Sequence, residues 1–261
     1  MQPSALSVVV PAYNEARRLK RSLPLLVDLA ADARAELIVV DDGSDDGTAD
    51  VAAAHLVGVP GAKIVRLALN SGKGAAVRAG VAHARGRSIV FMDADLATDL
   101  NDLPALLEAL ETADVAIGSR AIPGATVDGA SSTRACMGRG FNRLARVVTG
   151  LSLGDTQCGF KGFRAPVAQL LFRLGVVDGF AFDVEILALA RRMGYRIAEV
   201  PVHWRAIPGS RVDVMRDPAR MVRDVLLTHA RWRHTRILPL RVPAATLLEP
   251  AGDELRQALT A

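Results

Sequence analysis

Short apolar segments alternate with segments of helical composition through the first half of the chain, and this alternation restricts the fold more than any other feature. The apolar segments predict strands near residues 6 to 10, 36 to 41, 63 to 67, 88 to 92 and 114 to 118. The segments between them predict helices near residues 15 to 30, 47 to 56, 73 to 85 and 102 to 112. Strands and helices that alternate at this spacing form a mostly parallel sheet flanked by helices. The sequence therefore predicts the α/β fold class.

The second half of the chain is less regular. Gly, Pro and Ser interrupt residues 121 to 133, which predicts a mobile loop. A strand is predicted near 196 to 202, and helices are predicted up to about 148, from about 165, around Asp183 and Glu185, and from about 217 to 232. Pro239, Pro243 and Pro250 indicate a loosely ordered tail. The pattern predicts one domain over residues 1–235 and a tail over residues 236–261.

Three of the predicted strands end in polar residues where a helix begins. These ends are residues 11–15, residues 41–44 and the pair Asp93 and Asp95. Parallel strands bring their carboxyl ends to one edge of the sheet, and open α/β sheets bind ligands at that edge. We therefore expect the three ends to meet in one crevice.

Asp93 and Asp95 are candidate metal ligands. Two carboxylates one residue apart suit Mg²⁺ or Mn²⁺, which fill their remaining positions with water and phosphate oxygens. An Asp-x-Asp at a strand end also serves as a turn or a helix cap, so the pair alone leaves both interpretations open.

The spacing of glycines excludes other phosphate-binding classes. No Gly-x-Gly-x-x-Gly follows the first strand, which argues against a dinucleotide site, and Gly72-Lys73-Gly74 lacks the Ser or Thr of a P-loop. A nucleotidyltransferase would also need a Gly-rich loop after the first strand, where this chain has residues 11–15. Lys73 is instead expected at a helix start, where it faces a phosphate.

Five further motifs follow in order: residues 70–78, 118–120, 155–161, 180–185 and 199–204. With the strand ends, they resemble the inverting family 2 glycosyltransferases of the GT-A fold. Within that family the set is similar to the dolichyl-phosphate glucosyltransferases and their bacterial polyprenyl-phosphate relatives. The resemblance spans residues 8 to about 211. Mannosyl enzymes share the first half of the motifs, so GDP-mannose stays an alternative to UDP-glucose as the donor.

The resemblance implies which residues bind the nucleotide-sugar donor. The expected set is Pro11, Ala12, Tyr13, Glu15, Asp41, Asp42, Lys73, Asp93, Ala94, Asp155, Gln157, Asp183 and Glu185. It also implies Asp93 and Asp95 as ligands of Mg²⁺ or Mn²⁺ and Arg120 near the diphosphate. Structural alternatives remain: a helix N-terminus for Glu15, turns for Asp41 and Asp42, solvation for Arg120, and hydrogen bonding within the fold for Asp183 and Glu185.

A polyprenyl phosphate acceptor follows from the same resemblance. Its phosphate is ionised near neutral pH, so it needs cations to place it rather than a general base to deprotonate it. The candidate acceptor contacts are Arg134, Arg139, Arg205 and Arg211. Arg134 and Arg211 are also expected to take part in catalysis, with Asp93, Asp95 and Arg120. Residues 129–154, which include Arg139, Arg143 and Arg146 at helical spacing, contain no acidic residue.

The C-terminal part of the chain is basic. Residues 203–241 hold nine arginines and three aspartates, a local charge of +6, and the sequence pI is about 9.5. Together with apolar residues at helical spacing, this predicts an interfacial helix beside anionic lipid. A core-facing helix with a solvated basic face is the alternative.

No apolar run approaches the roughly 20 residues of a spanning helix. We therefore expect a peripheral protein on the cytoplasmic face of a membrane, docked by its own basic surface or with the help of a separate membrane protein. The two cysteines form no metal pattern and are expected to be free thiols.

The expected activity is inverting transfer of glucose from UDP-glucose to a polyprenyl phosphate, without a nucleic-acid partner. A family 2 transferase with another acceptor is one alternative. A non-catalytic lipid- or nucleic-acid-binding protein would also explain the basic charge. It would leave the carboxylates at the strand ends without a purpose, and metal-dependent binding of UDP distinguishes the two.

Overall fold

The computed structural model describes residues 5–207 and 217–232, without the side chains of 132–135 and 217–218. Its strands are β1 (Leu6–Ala12), β2 (Glu36–Asp41), β3 (Lys63–Arg66), β4 (Ser88–Met92), β5 (Val115–Ser119), β6 (Thr126–Asp128), β7 (Phe160–Arg164), β8 (Ile197–Pro201) and β9 (His203–Arg205). Its helices are α1 (Ala16–Asp32), α2 (Thr48–Leu56), α3 (Lys73–His83), α4 (Leu103–Thr112), α5 (Ser132–Thr149), α6 (Ala165–Leu174), α7 (Phe182–Arg192) and α8 (Asp217–Trp232).

Within the described residues, seven strands form the central sheet, in the order β3-β2-β1-β4-β7-β5-β8. Parallel pairs join β1 to β2 and β4, β2 to β3, and β5 to β8. The predicted α/β class and the mostly parallel sheet are therefore confirmed. The carboxyl ends of β1, β2, β4 and β5 lie at one edge.

Strand β7 runs against the direction of its two neighbours. It pairs antiparallel with β4, where Met92 faces Phe160, and with β5, where Ile117 faces Lys161. The sequence analysis gave this segment a functional motif but no strand. The insertion places the start of β7 between the ends of β4 and β5, so residues 155–160 lie directly beside both.

The sheet separates two apolar layers. Side chains alternate along β1, so Val9 packs with α3, α6 and α7 while Val8 and Val10 pack with α1, α2 and α4. Every residue of β1 and β2 is buried, as expected for strands covered on both faces. The rigid core therefore extends to the residues that end these strands.

A second sheet contains two short strands, β6 and β9, paired in parallel. The prediction of a loop over residues 121 to 133 is wrong for Thr126–Asp128, because these residues form β6. The segment has little strand character of its own, and its pairing with the distant β9 stabilises the extended backbone. Strand β9 also bonds to residues 97–99, through Arg205 N to Ala97 O and Asp99 N to His203 O.

Helices α5 and α8 pack against each other and close one side of the domain. The predicted helix near 217 to 232 is present as α8, with Val225 and Thr228 buried. No helix in the described ranges combines the length and apolar character that crossing a bilayer requires. The predicted tail over residues 236–261 lies outside the described residues.

Gly80 tests the packing of α3 against the sheet. A Cβ at Gly80 would lie 2.3 Å from Val9 Cγ1 and 3.0 Å from Val40 Cγ2. We expect Gly80→Ala to lower the free energy of unfolding by about 1–3 kcal/mol, because overpacking outweighs the gain in helix propensity. Urea unfolding measures this difference.

Gly140→Ala is the matched control, because a Cβ at this exposed position of α5 meets nothing within 4 Å. It should raise the free energy of unfolding by up to about 1 kcal/mol through helix propensity alone. Equal effects of the two substitutions would contradict the packing argument.

Candidate active site

The end of β4 presents two carboxylates. Asp93 and Asp95 follow Met92 directly, and Asp93 N donates to Gly159 O over 3.1 Å, which fixes this end against β7. Ala94 between them is buried. Leu96 has φ 51°, a left-handed backbone conformation that a branched apolar residue adopts only under constraint from its surroundings. The turn after the strand is thus held in a strained form that presents both carboxylates.

Lys73 at the start of α3 contacts this pair. Its Nζ lies 2.6 Å from Asp93 Oδ1. Burial alone would lower the pKa of Lys73, but Asp93 and Asp183 outweigh burial and raise it. Lys73 is therefore a cation held between carboxylates, at the helix start where the sequence placed it.

The residues at the end of β4 fit a divalent cation. Burial raises the pKa of Asp95, and the adjacent charge of Asp93 raises it further, so the two carboxylates favour a cation between them. A Cβ at residue 159 would lie 2.0 Å from Asp93 Oδ2, so glycine at this position leaves room for the carboxylate. No cluster of three or more His, Cys, Asp or Glu suited to a metal occurs in the part of the chain described, so the other ligands would come from water and substrate.

The end of β1 lies next to the carboxylate pair. Pro11 and Ala12 are buried in the strand, whereas Tyr13 is 38% exposed at the edge of the sheet. Glu15 Oε1 accepts from Arg18 Nη1 over 2.5 Å, and the same nitrogen lies 3.9 Å from Asp95 Oδ2. Arg18 therefore links the ends of β1 and β4.

The carboxylates at the end of β2 form hydrogen bonds within the fold. Asp41 is fully buried, and its Oδ1 accepts from Ser44 N over 3.0 Å. Asp42 accepts from Ser71 N and Gly72 N, each over 2.8 Å, so it fixes the turn that leads to Lys73. Burial raises the pKa of Asp42 although these amides oppose the rise. These hydrogen bonds are those of turn-forming aspartates, the structural alternative to donor binding for Asp41 and Asp42.

Asp41 nevertheless keeps one oxygen without a hydrogen bond. Its Oδ2 is buried and accepts none among the described residues, although Arg66 Nε lies 3.2 Å away. A buried oxygen with an unused acceptor is costly. This oxygen is the one candidate for a base contact that the β2 end offers, and Arg66 would have to move to expose it.

Arg120 and Asp155 form a bidentate ion pair beyond the end of β5. Arg120 Nε and Nη2 donate to the two carboxylate oxygens over 2.6 and 3.0 Å, and Arg120 N also donates to Oδ2 over 3.2 Å. The guanidinium lies 5.4 Å from the ring centre of Trp204 on β9. Burial opposes ionisation of Asp155, but Arg120 outweighs it and holds the pKa of Asp155 below its usual range.

Gln157 and Cys158 continue the loop that carries Asp155. Gln157 N donates to Asp155 Oδ1 over 3.0 Å, and its side chain donates to Thr156 O over 3.4 Å. Cys158 is buried, and burial raises the pKa of its thiol to about 11. The cysteine is therefore a protonated core residue, and Cys136 is likewise free but exposed.

Asp183 and Glu185, two residues apart on α7, have different surroundings. Asp183 lies 2.6 Å from Lys161 Nζ in a buried ion pair behind Lys73. Burial raises the pKa of Asp183, and Lys161 and Lys73 oppose that rise only in part. Glu185 Oε2 instead accepts from Val176 N and Val177 N, each over 2.8 Å, so it holds the loop before α7. Asp183 therefore lies at the site, whereas Glu185 stabilises the loop before α7.

Two of the arginines expected to bind the acceptor are exposed. Arg139 is exposed on α5, and Arg205 is exposed on β9. Trp204, one residue before Arg205, lines a small depression together with Asp93 and Gly159. Arg211 and the side chain of Arg134 lie outside the described residues, so their roles stay predictions.

The sequence analysis missed three side chains that shape this site. Arg18 was detectable as the i+3 partner of Glu15 on a helix. Asn142 was not, because no local pattern shows that a side chain of α5 bonds to the loop at 153–156. Glu199 begins the motif at residues 199–204, but the sequence gave no sign of its bond to this distant loop.

Comparison with known proteins identifies the family. The family model described as Glycosyl transferase family 2 matches residues 7–172. Dolichyl-phosphate beta-glucosyltransferase of Drosophila melanogaster is 37% identical, and the match covers 87% of this chain and 75% of that protein. The Saccharomyces cerevisiae protein of the same name is 34% identical, with 85% and 73% covered.

A solved structure has the same fold. Glucosyl-3-phosphoglycerate synthase from Mycobacterium tuberculosis, crystallised with Mn²⁺, UDP and glucosyl-3-phosphoglycerate, aligns with a TM-score of 0.63 at 24% identity. The alignment covers 87% of this chain and 80% of that one. The sequence matches, together with the edge of the sheet described above, lead to one conclusion: the chain is a glycosyltransferase enzyme that belongs to glycosyl transferase family 2.

Proposed function

We propose that the enzyme transfers glucose from UDP-glucose to a polyprenyl phosphate of the dolichyl type, with inversion at the anomeric carbon. The observation that carries this proposal is the arrangement at the sheet edge, where Asp93 lies 2.6 Å from Lys73, Asp95 follows two residues later, and Trp204, which packs against Arg120, lines the same depression as Asp93. Two carboxylates with cations on both sides suit a diphosphate whose charge a divalent metal also offsets. The shared name of the curated relatives supports the sugar and the acceptor.

The donor would lie along the ends of β1, β2 and β4. Tyr13 offers an exposed aromatic surface for the base, Glu15 lies within reach of the ribose edge, and Asp41 is the candidate partner of the base nitrogen. Asp42 acts indirectly by holding the turn before Lys73. Lys73 and Arg120 would then face the diphosphate from two sides.

Asp93 and Asp95 would hold Mg²⁺ or Mn²⁺, which supplies Lewis-acid stabilisation of the leaving nucleoside diphosphate. Lys73 contacts Asp93, so it would turn towards the diphosphate when the donor binds. The buried pair of Lys161 and Asp183 supports this side of the site from behind. Metal binding in the Mycobacterium tuberculosis structures supports a cation here.

Transfer to a phosphate needs no general base. A phosphate oxygen attacks the anomeric carbon as the bond from that carbon to the diphosphate breaks, which gives the β-linked lipid-phosphate sugar and UDP. Asp183 is committed to Lys161 and Glu185 to backbone amides, which fits a reaction that asks neither to accept a proton. Arg134, Arg139, Arg205 and Arg211 are the proposed cations that align the acceptor.

The acceptor lipid brings the enzyme to a membrane, and we place the docking surface on α8 at the cytoplasmic face. The inner side of α8 packs in the core, as expected for a core-facing helix with a solvated basic face. Its outer side exposes Arg220, Arg223 and Arg231 with Leu226 and Leu227, which are 50% and 58% exposed. None of the exposed residues between 219 and 231 is acidic, which suits an anionic surface. Help from a separate membrane protein remains part of the proposal.

The first test of the activity is release of UDP from UDP-glucose with Mn²⁺ and a short polyprenyl phosphate. We expect turnover to depend on lipid and metal. Asp93→Asn should lower kcat at least about 100-fold, since it removes a metal ligand and a charge from the site. Asp99→Asn is the matched control, because Asp99 caps the turn at Asn101 and lies outside the proposed site.

Binding of UDP without any effect of lipid would overturn the acceptor, and GDP-mannose and soluble acceptors would be tested next. Absence of metal-dependent UDP binding would overturn the donor as well.

The docking surface is tested by sedimentation with vesicles that contain anionic lipid. Arg220→Glu with Arg223→Glu should reduce the bound fraction at low salt, since each basic residue near an anionic surface contributes about 1 kcal/mol. Arg85→Glu with Arg87→Glu is the control, because it makes the same charge change at two exposed residues just before β4, at the amino end of that strand. This double variant should bind vesicles like the wild type. Equal binding by both double variants would argue against α8.

A further inference from the structure

The loop at residues 153–157 is held in place by the side chain of Asn142 on α5. Asn142 Nδ2 donates to Gly154 O over 2.6 Å and to Leu153 O over 3.4 Å. Its Oδ1 accepts from Thr156 N over 3.1 Å and from Thr156 Oγ1 over 2.9 Å. One amide thus bonds to Leu153, Gly154 and Thr156, that is, to residues on both sides of Asp155. An amide that uses both donor directions and its acceptor fixes a backbone in a way that few other side chains reproduce.

Glu199 on β8 bonds to the same loop from the sheet side. Both of its oxygens accept from Gly154 N over 2.9 Å, and Oε1 also accepts from Asp155 N over 3.2 Å. The backbone on both sides of Asp155 is therefore fixed by hydrogen bonds to one side chain from a helix and one from a strand. Glu199 thus contacts the backbone of Asp155 rather than its carboxylate, and among the described residues neither Asn142 nor Glu199 forms a hydrogen bond with Asp93, Asp95 or Lys73.

The loop transmits this constraint to Arg120. Asp155 engages the guanidinium through two bonds and the Arg120 amide through a third. The guanidinium lies 5.4 Å from the ring centre of Trp204, and Trp204 lines the depression that also contains Asp93. The position of this cation relative to the donor diphosphate thus depends on where the loop holds Asp155.

We propose that Asn142 is a positioning residue that couples helix α5 to the placement of Arg120 at the donor diphosphate. This inference rests on the proposed function for the contact of Arg120 with the diphosphate. Because α5 also carries the arginines proposed for the acceptor, a shift of α5 when acceptor binds reaches Arg120 through Asn142 and the Asp155 loop. The donor and acceptor sides of the reaction are joined by one amide side chain.

A double-mutant cycle on UDP binding separates this role from a general structural one. The dissociation constant for UDP with Mn²⁺ is measured by calorimetry for wild type, Asn142→Ala, Arg120→Ala and the double variant. We expect Arg120→Ala to weaken binding at least about tenfold, because charge-assisted bonds are lost, and Asn142→Ala to weaken it about three- to tenfold. In the Arg120→Ala background, Asn142→Ala should change binding less than about twofold, since residues that act through one another are not additive.

Asn101→Ala is the control for the substitution itself, since Asn101 lies on the short 3₁₀ helix before α4 and is exposed. It should leave the dissociation constant unchanged. Asn142→Asp keeps the acceptor for Thr156 but puts an oxygen in place of the nitrogen that donates to Gly154 O, so it should also weaken UDP binding. If Arg120→Ala does not fold, Arg120→Lys replaces it in the cycle, because lysine keeps the charge and loses the bidentate geometry.

If Asn142→Ala weakens UDP binding by the same factor in the wild-type and Arg120→Ala backgrounds, the proposal is overturned in favour of a structural role. No loss in either background would overturn it outright. Because the measurement needs no acceptor, it is independent of the lipid assignment. Failure of wild type to bind UDP with Mn²⁺ would instead be a failure of the proposed donor site.

Discussion

Antiparallel pairing of β7 between β4 and β5 is the constraint on which the site depends. Neighbouring strands are about 4.8 Å apart, so one inserted strand separates the ends of β4 and β5 by about 10 Å. The carboxylates Asp93 and Asp95 end one of these strands and Arg120 follows the other. The start of β7 then lies between them, with Gly159 against Asp93 and the loop of Asp155 against Arg120. The spacing of opposite charges across the site is therefore a property of the backbone.

The charges at this edge hold one another in place. Carboxylates that are partly removed from water are stabilised when a cation lies within hydrogen-bond distance, and each of Asp93, Asp155 and Asp183 has such a cation. The buried pair of Lys161 and Asp183 is costly to desolvate, and that cost is reasonable where it fixes the shape of a polar site. Phe182 packs at 5.6 Å from Phe91, which ties the start of α7, and with it Asp183, to the middle of β4.

Sequence reasoning recovered the parts of the molecule that depend on local pattern. Strands β1 to β5 and their helices followed from hydrophobic period, and the convergence of the ends of β1, β2 and β4 followed from the rule for parallel strand ends. Strands β6, β7 and β9 did not follow, because they are short and exist through pairing with distant segments. The contacts of Asn142 did not follow either, since no local sequence pattern indicates that this side chain bonds to residues 153–156. The full burial of Asp41 was also not predicted, because the sequence does not indicate how exposed an aspartate in a turn after a strand will be.

The pairing of β6 with β9 has a consequence for the folding of the enzyme. These strands come from residues 126–128 and 203–205, so the cover that Trp204 provides requires closing one of the longest loops in the fold. Closing a long loop costs entropy before its contacts repay it, which makes such contacts slow to appear. The strand that leads to Asp93 also depends on distant pairing, because β4 joins β1 between Ser88 and Leu6. Both sides of the site, the strand end that carries Asp93 and Asp95 and the strand that carries Trp204 and Arg205, therefore depend on contacts that form slowly.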